Sequence, residues 1–379
     1  MSEKTPIAPR IDVSSQPANA SMTPSVQEAS SPSAKASDAP KITVIVPLYN
    51  CEKYVAECLQ SLQQQTLPDF EAICVNDCSP DNSYLVAQGA VAGDARFTFL
   101  SLDENRGPGG ARNVALDKAR GKYIVFLDSD DFFVPEALQK IYERAEMQQL
   151  DDMYFNAKSF YESAAVHKRV KEDFSHRPAF DGVATGRELF TFFQERGEFW
   201  PQGAMRMVRR GLLRKNGIRF REGIIHEDIL FTFQTLVESQ RSSFLNEPIY
   251  MRRVREGSVM GQRARSIRNV QGHYVCLTEM KRWMTQHAAE LDQPFVAAMT
   301  RQMYDWRMVV GHDWSDAVSS QDRAEWLSSL SPEAQLDFYL DVIQPSAGLG
   351  EYLNSKTYRL GDAILSIPRA VREKLHEGR

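Results

Sequence analysis

Residues 123–131 read Tyr123-Ile124-Val125-Phe126-Leu127-Asp128-Ser129-Asp130-Asp131, five apolar residues running straight into an acidic turn. Such a run, rich in β-branched and aromatic side chains, predicts a strand buried on both faces. In an extended continuation, residues two apart point the same way, so Asp128 and Asp130 can face one ligand together. Mg²⁺ or Mn²⁺ is commonly held by one or two carboxylates plus the phosphate oxygens of a substrate. The plainer alternative is that Asp130 or Asp131 caps a helix beginning near Pro135.

Working upstream, the same arrangement recurs three times. Ile42 to Val46 is a β-branched run stopped by Pro47. Glu71 to Val75 is closed by Asn76-Asp77-Cys78-Ser79-Pro80-Asp81, and Phe97 to Leu102 leads to the turn Arg106-Gly107-Pro108-Gly109-Gly110. Helical spacing fills the gaps: Tyr54, Val55, Cys58, Leu59 and Leu62, then Tyr84 to Val91, then Ala111 to Ala119. Alternation of this kind predicts an α/β fold, a doubly wound, mostly parallel, Rossmann-like sheet. Ligands of such sheets bind outside the carboxyl ends of the strands. Tyr49, Asn50, Asp77, Asp128 and Asp130 all fall at those ends, so one rim carrying all of them predicts a site.

The rest of the chain bounds the reading. The 379 residues are 42% hydrophobic and 25% charged, ordinary for a globular protein, and the net charge of −5 argues against a nucleic-acid partner. Residues 1–40 hold six Pro, nine Ser, seven Ala and no aromatic residue, which predicts a disordered tail. No secretory signal and no membrane-spanning run is visible, and the five cysteines form no CxxC pair, so they read as reduced thiols of a cytoplasmic protein. Phe180 to Phe193 and His226 to Leu236 look helical, Trp200 to Phe220 is basic and partly helical, and from about Gly261 onward the signals are mostly helical. Residues 206–221 hold seven Lys or Arg and no acid, and residues 252–268 hold six Arg against one Glu.

Five ordered blocks carry a family resemblance. They are Val44-Ile45-Val46-Pro47-Leu48-Tyr49-Asn50, Tyr54 to Thr66, Val75 to Asp81, Gly107 to Asn113, and Asp128 to Asp131. Residues 41–135 thereby resemble the nucleotide-binding half of family 2 glycosyltransferases, which implies a GT-A fold. Cys78 departs from the family, which usually has Gly there. The implied organisation is a GT-A domain over 41–262 (nucleotide half 41–135, acceptor half 136–262) and a mostly helical C-terminal region over 263–379.

The resemblance implies an inverting glycosyltransferase that uses a nucleotide-sugar donor, with a UDP-sugar expected, and Mg²⁺ or Mn²⁺. Pro47, Tyr49 and Asp77 would line the base and ribose, with Glu52 also near the ribose and Asp77 accepting an imide N–H. Asp128 would contact the donor and Asp130 the metal. His226-Glu227-Asp228 resembles the segment that carries the family's general base, assigned here to Asp228 with Glu227 in support. The alternative is two acids favoured by a helix N-terminus. A zinc reading fails, because H-E-x-x-H would need His where Leu230 stands. Arg112, at the Gly-rich turn, is a candidate sugar or phosphate contact, Arg255 a diphosphate contact, and Trp200 and Arg206 an acceptor wall. The acceptor would be a glycan or lipid-linked molecule of surface polysaccharide assembly. Residues 356–379 carry six Lys or Arg against three acids, a basic amphipathic pattern that fits either a packed helix or peripheral contact with the inner face of the membrane. The competing reading is a catalytically silent sugar-nucleotide or glycan-binding protein on the same fold.

Overall fold

The computed structural model describes residues 27–28, 39–169, 174–255 and 266–343. The chain divides into two compact units. One, spanning 20–263 and 279–299, contains the sheet: β1 (Gln27–Glu28), β2 (Ile42–Leu48), β3 (Phe70–Asn76), β4 (Phe97–Ser101), β5 (Tyr123–Phe126), β6 (Phe132–Phe133), β7 (Asp152–Tyr161), β8 (Arg206–Arg209) and β9 (Ser242–Val254). The order is β1-β4-β3-β2-β5-β8-β7-β9-β6. The run β4-β3-β2-β5 is parallel throughout, as the alternating pattern requires. Beyond β5 the sheet becomes mixed, with β8 antiparallel to both neighbours and β7 parallel to β9.

Helices α1 (Val55–Gln63), α2 (Ser83–Ala90), α3 (Gly107–Lys118), α4 (Ala137–Gln148), α5 (Ala164–Arg169), α6 (Gly186–Glu195), α7 (Arg210–Lys215) and α8 (Glu227–Glu238) join the strands. The strands have two buried faces because alternate residues serve different layers. Val44, Val46 and Leu48 of β2 join Val55, Cys58 and Leu59 of α1 in one core. Ile45 joins Ala111 and Ala115 of α3, with Phe220 and Phe231, in the other. The Gly-rich turn forms the first turn of α3, four residues ahead of the predicted start. Pro108 in that turn loses no hydrogen bond and presets the backbone.

Strands β7 to β9 lie where the sequence pattern was mixed. Met153 to Ala157 of β7 are buried without alternation, so the period-2 signal is absent. Arg206-Met207-Val208-Arg209, part of the basic cluster, is strand β8 ahead of α7.

The second unit, described by itself, is helical. It takes residues 267–278 of α9 (Ile267–Gln286), residues 300–316 of α10 (Gln293–Asp316), then α11 (Ser320–Ser329) and α12 (Pro332–Phe338). Phe338 is the hub of its core, with the rings of Tyr274, Trp314 and Trp326 at 5.0, 4.9 and 4.8 Å. No helix among the described residues is long and apolar enough to cross a membrane. The basic segment 356–379 and most of the predicted tail lie outside the described residues. Within that tail Gln27–Glu28 pair antiparallel with β4.

Arg206 corrects one expectation. Its side chain is 0% exposed, so it faces no acceptor; Nη2 donates to Asp152 Oδ2 at 2.6 Å, and Asp152 is equally buried. Both faces of β8 are covered there, since Met207 and Val208 are buried too, and the guanidinium lies 4.8 Å from the Tyr154 ring. Breaking one side of a buried pair strands the other charge. Arg206→Met is therefore expected to cost about 3–5 kcal/mol of stability, and adding Asp152→Asn should recover much of it. Chemical denaturation of both variants checks this. A single variant as stable as the native chain would refute it.

Candidate active site

The carboxyl ends of β2 and β5 lie side by side where the strand order reverses, the position at which open α/β sheets form a crevice. Asn50 and Cys78, just past β2 and β3, both adopt left-handed backbone, φ 49° and 53°. Such φ values favour glycine, which suits the Gly usual in the family at this turn; Cys78 adopts the same left-handed backbone with a side chain. Tyr49 is 49% exposed beside this turn, and Pro47 lies within β2. Asp77 is nearly buried, and its Oδ1 accepts the Arg106 N–H at 2.7 Å. Burial raises its pKa, opposed by the backbone N–H groups of Arg106 and Gly107. Glu52 accepts the Asn82 N–H at 3.1 Å, at the start of α2. Its own N–H goes to Asp81, whose pKa is lowered to about 2 because bonds from Ser79, Ser83 and Glu52 outweigh burial.

The acidic turn after β5 is braced from two sides. Arg112 of α3 is buried, donating from Nη2 to Asp128 Oδ1 at 2.7 Å and from Nη1 to Glu227 Oε1 at 2.8 Å. The residue expected to meet a sugar or phosphate is thus engaged by two carboxylates, and its guanidinium lies 5.2 Å from the Phe220 ring. Asp131 is buried and does not cap α4, whose N-cap is Glu136. Its oxygens accept from Tyr250 OH and the Arg253 N–H, both at 2.7 Å. Burial, together with Asp130 and Asp128, pushes its carboxyl well above the usual range. Asp128 and Asp130 remain 40% and 20% exposed.

Glu227 and Asp228 occupy the first turn of α8, entered through His226 in left-handed backbone, φ 67°. Gly109 leaves the room for this: a Cβ there would stand 2.9 Å from Glu227 Cγ. Asp228 is half-buried, with its carboxyl pushed up to about 7. Burial is the main cause, Glu227 and Asp128 add to it, and Arg112 opposes. The helix N-terminus therefore presents the acid pair, as the alternative reading expects.

Arg255 follows β9 and donates from Nε to Asp130 Oδ2 at 2.7 Å. Arg253 donates from Nε to the Asp130 carbonyl at 3.0 Å and binds Glu57. Trp200 is half-buried, edge-on to Phe174 at 4.2 Å. Thus Asp128, Glu227 and Arg112 come together, with Asp130 and Arg255 as a second pair. Tyr250, Asp131 and Arg106 are the residues that sequence reasoning missed. Asp131 was visible in the acidic run, but Tyr250 needed the register of β9.

Among the described residues no three His, Cys, Asp or Glu side chains cluster to hold an ion by themselves. Asp130, a partly exposed carboxylate at this rim paired with Arg255, fits a hard cation whose remaining ligands would be substrate phosphate and water.

Comparison with known proteins agrees with this picture. The model of "Glycosyl transferase family 2" matches residues 43–217. The chain is similar to glycosyltransferase GlyA of Streptococcus pneumoniae, 31% identical over 58% of this chain and 31% of that protein. It is also similar to the uncharacterized glycosyltransferase EpsJ of Bacillus subtilis, 32% identical over 58% of this chain and 63% of its relative. The chain thus spans from about a third to under two thirds of these relatives. The crystal structure of S. aureus TarS 1-349 in complex with UDP-GlcNAc superposes with a TM-score of 0.58 at 22% identity, covering 85% of this chain and 92% of that one. That likeness shows the fold, a GT-A-like sheet with a helical C-terminal region. Residues 43–217, which carry the parallel strands and the acidic turn, thus resemble glycosyl transferase family 2 over a little under half of the chain.

Proposed function

We propose that the chain transfers a sugar from a UDP-sugar to a hydroxyl of a glycan or lipid-linked acceptor, with inversion at the anomeric carbon. The observation that carries this reading is Asp228, a half-buried carboxyl pushed up to about 7 and joined through Glu227 and Arg112 to Asp128 on the donor rim. A base with that pKa is suited to proton transfer near neutral pH. The UDP assignment draws on the ligand of TarS and on the Asp77 carboxylate beside exposed Tyr49.

In this reading Pro47, Tyr49 and Asp77 hold the base and ribose, with Glu52 fixing the adjoining turn. Asp128, oriented by Arg112, faces the sugar and ribose. Asp130 holds Mg²⁺ or Mn²⁺ against the donor diphosphate, where the cation would offset charge on the leaving group. Asp228 takes the acceptor proton as its oxygen attacks the anomeric carbon. The anomeric C–O bond breaks, and its electron pair leaves with the nucleoside diphosphate on the opposite face. Arg255, next to Asp130, meets the negative charge that accumulates there.

Asp228→Asn is expected to keep UDP affinity and lower kcat by about 10²–10⁴-fold, measured as sugar transfer from a panel of UDP-sugars. Undiminished turnover would move the base elsewhere. Only the ionised carboxylate can take a proton, so kcat/KM should fall about tenfold per unit as pH drops below 7. Glu227→Gln removes a neighbouring negative charge and leaves Arg112 free to favour ionised Asp228, so this limb should move to lower pH. A limb that stays in place or moves up contradicts the assignment. Calorimetric titration of UDP into Asp130→Ala should show affinity no longer enhanced by Mn²⁺. Enhancement equal to the native chain's would remove Asp130 from the metal site.

A further inference from the structure

Among the described residues three arginines are buried in the sheet unit, and the structure treats them differently. Arg112 meets two carboxylates and Arg206 meets Asp152. Arg177 is only 4% exposed, yet among the described residues no carboxylate lies within ion-pair distance of it. Its Nη2 reaches only the Met205 sulfur at 3.8 Å, and its Nε has no partner. The guanidinium sits among the rings of Phe193, Trp200 and Phe244 at 6.0, 5.7 and 5.7 Å. Burial pulls its pKa down to about 10, with Tyr154 and Glu198 acting the other way. An uncompensated buried cation is costly, and a ligand that supplied the missing charge would relieve that cost.

Arg177 lines a cavity of about 560 Å³ together with Ser175, His176, Arg196, Glu198 and Asn246. The surroundings are fixed. Asn156, 0% exposed, donates from Nδ2 to the Ser175 carbonyl at 3.2 Å and to Asn246 Oδ1 at 2.7 Å, tying two sides of the cavity together. Phe174, next to Ser175, is bound through its carbonyl to the Ala157 N–H at 3.1 Å and carries Trp200. From Trp200 the chain runs to Gly203, where a Cβ would lie 3.6 Å from Asp228 Cβ. Trp200, whose ring lies 5.7 Å from the Arg177 guanidinium, is thus three residues from the glycine that packs on the side chain proposed as the base.

We propose that this cavity binds an oxyanion, a phosphate or carboxylate borne by the acceptor, with Arg177 as its central ligand. A planar guanidinium serves either anion through paired hydrogen bonds, Arg196 adds a second cation at the exposed edge, and Glu198 limits affinity. That the anion belongs to the acceptor rests on the transferase reading; the anion site itself does not.

The test titrates the full chain with glycerol 1-phosphate and, separately, with glucuronate, each with and without saturating UDP, by calorimetry. Saturable binding of one of them, persisting when UDP fills the donor rim, is expected, and which one binds separates phosphate from carboxylate. Arg177→Met should weaken it about tenfold or more, the share of a charge-assisted bond, while UDP affinity stays native and reports an intact fold. Glu198→Gln, at a half-buried position that folding tolerates, should strengthen it roughly threefold, as expected for removing a like charge. No saturable binding of either anion to the native chain overturns the site, as does binding that both variants leave unchanged. Loss of UDP binding by the native chain would instead count against the donor reading, with the anion titration judged separately.

Discussion

Arg112 is the interaction on which the cleft depends. It reaches from α3 to Asp128 at the end of β5 and to Glu227 at the start of α8, so one guanidinium ties the donor rim to the acid pair. Three carboxylates so near one another would repel strongly in a partly dry cleft. A cation with a rigid two-pronged geometry lets them share the space, and lysine could not bridge both at once. Behind Arg112, Phe220 stacks on Phe231 at 4.0 Å, which sets the wall on which the guanidinium rests.

A second clamp works on the far side of the acidic turn. Asp131 is fixed by Tyr250 and the Arg253 backbone, both from β9, so the turn is anchored to the acceptor half of the sheet. Asp128 and Asp130 are thereby left exposed while Asp131 is not. The adjacent acids have different work: Asp131 holds the loop, and its neighbours face the cleft. The long β7–β9 pairing, from Asp152↔Ser242 to Tyr161↔Val254, supplies the rigidity behind that clamp.

The mixed part of the sheet, from β7 to β9, is the less conventional part of the molecule. Among the described residues it buries Arg206 with a carboxylate and Arg177 with none. The contrast matters because a buried charge is normally matched by its own protein. Where it is not, the aromatic surroundings of Arg177 and the cavity beside it give the unmatched charge a direction.

The first four parallel strands were legible in the sequence, because each is an uninterrupted apolar run closed by polar residues at its carboxyl end. So was the position of Asp77, Asp128 and Asp130, since strand ends in such a sheet converge on one rim whatever the side chains are. The acid pair Glu227-Asp228 was visible as a motif. The partners were decided by tertiary structure. Arg112 could be noticed in the sequence, but only the tertiary structure sets it between two carboxylates, Asp128 and Glu227. Arg206 stood in a basic cluster, and the pairing of β8 with β7 put it beside Asp152 in the core. Local patterns record burial and turn chemistry because those act within a few residues. Which charge meets which is set by strand order and register, which join residues as distant as Arg112 and Glu227.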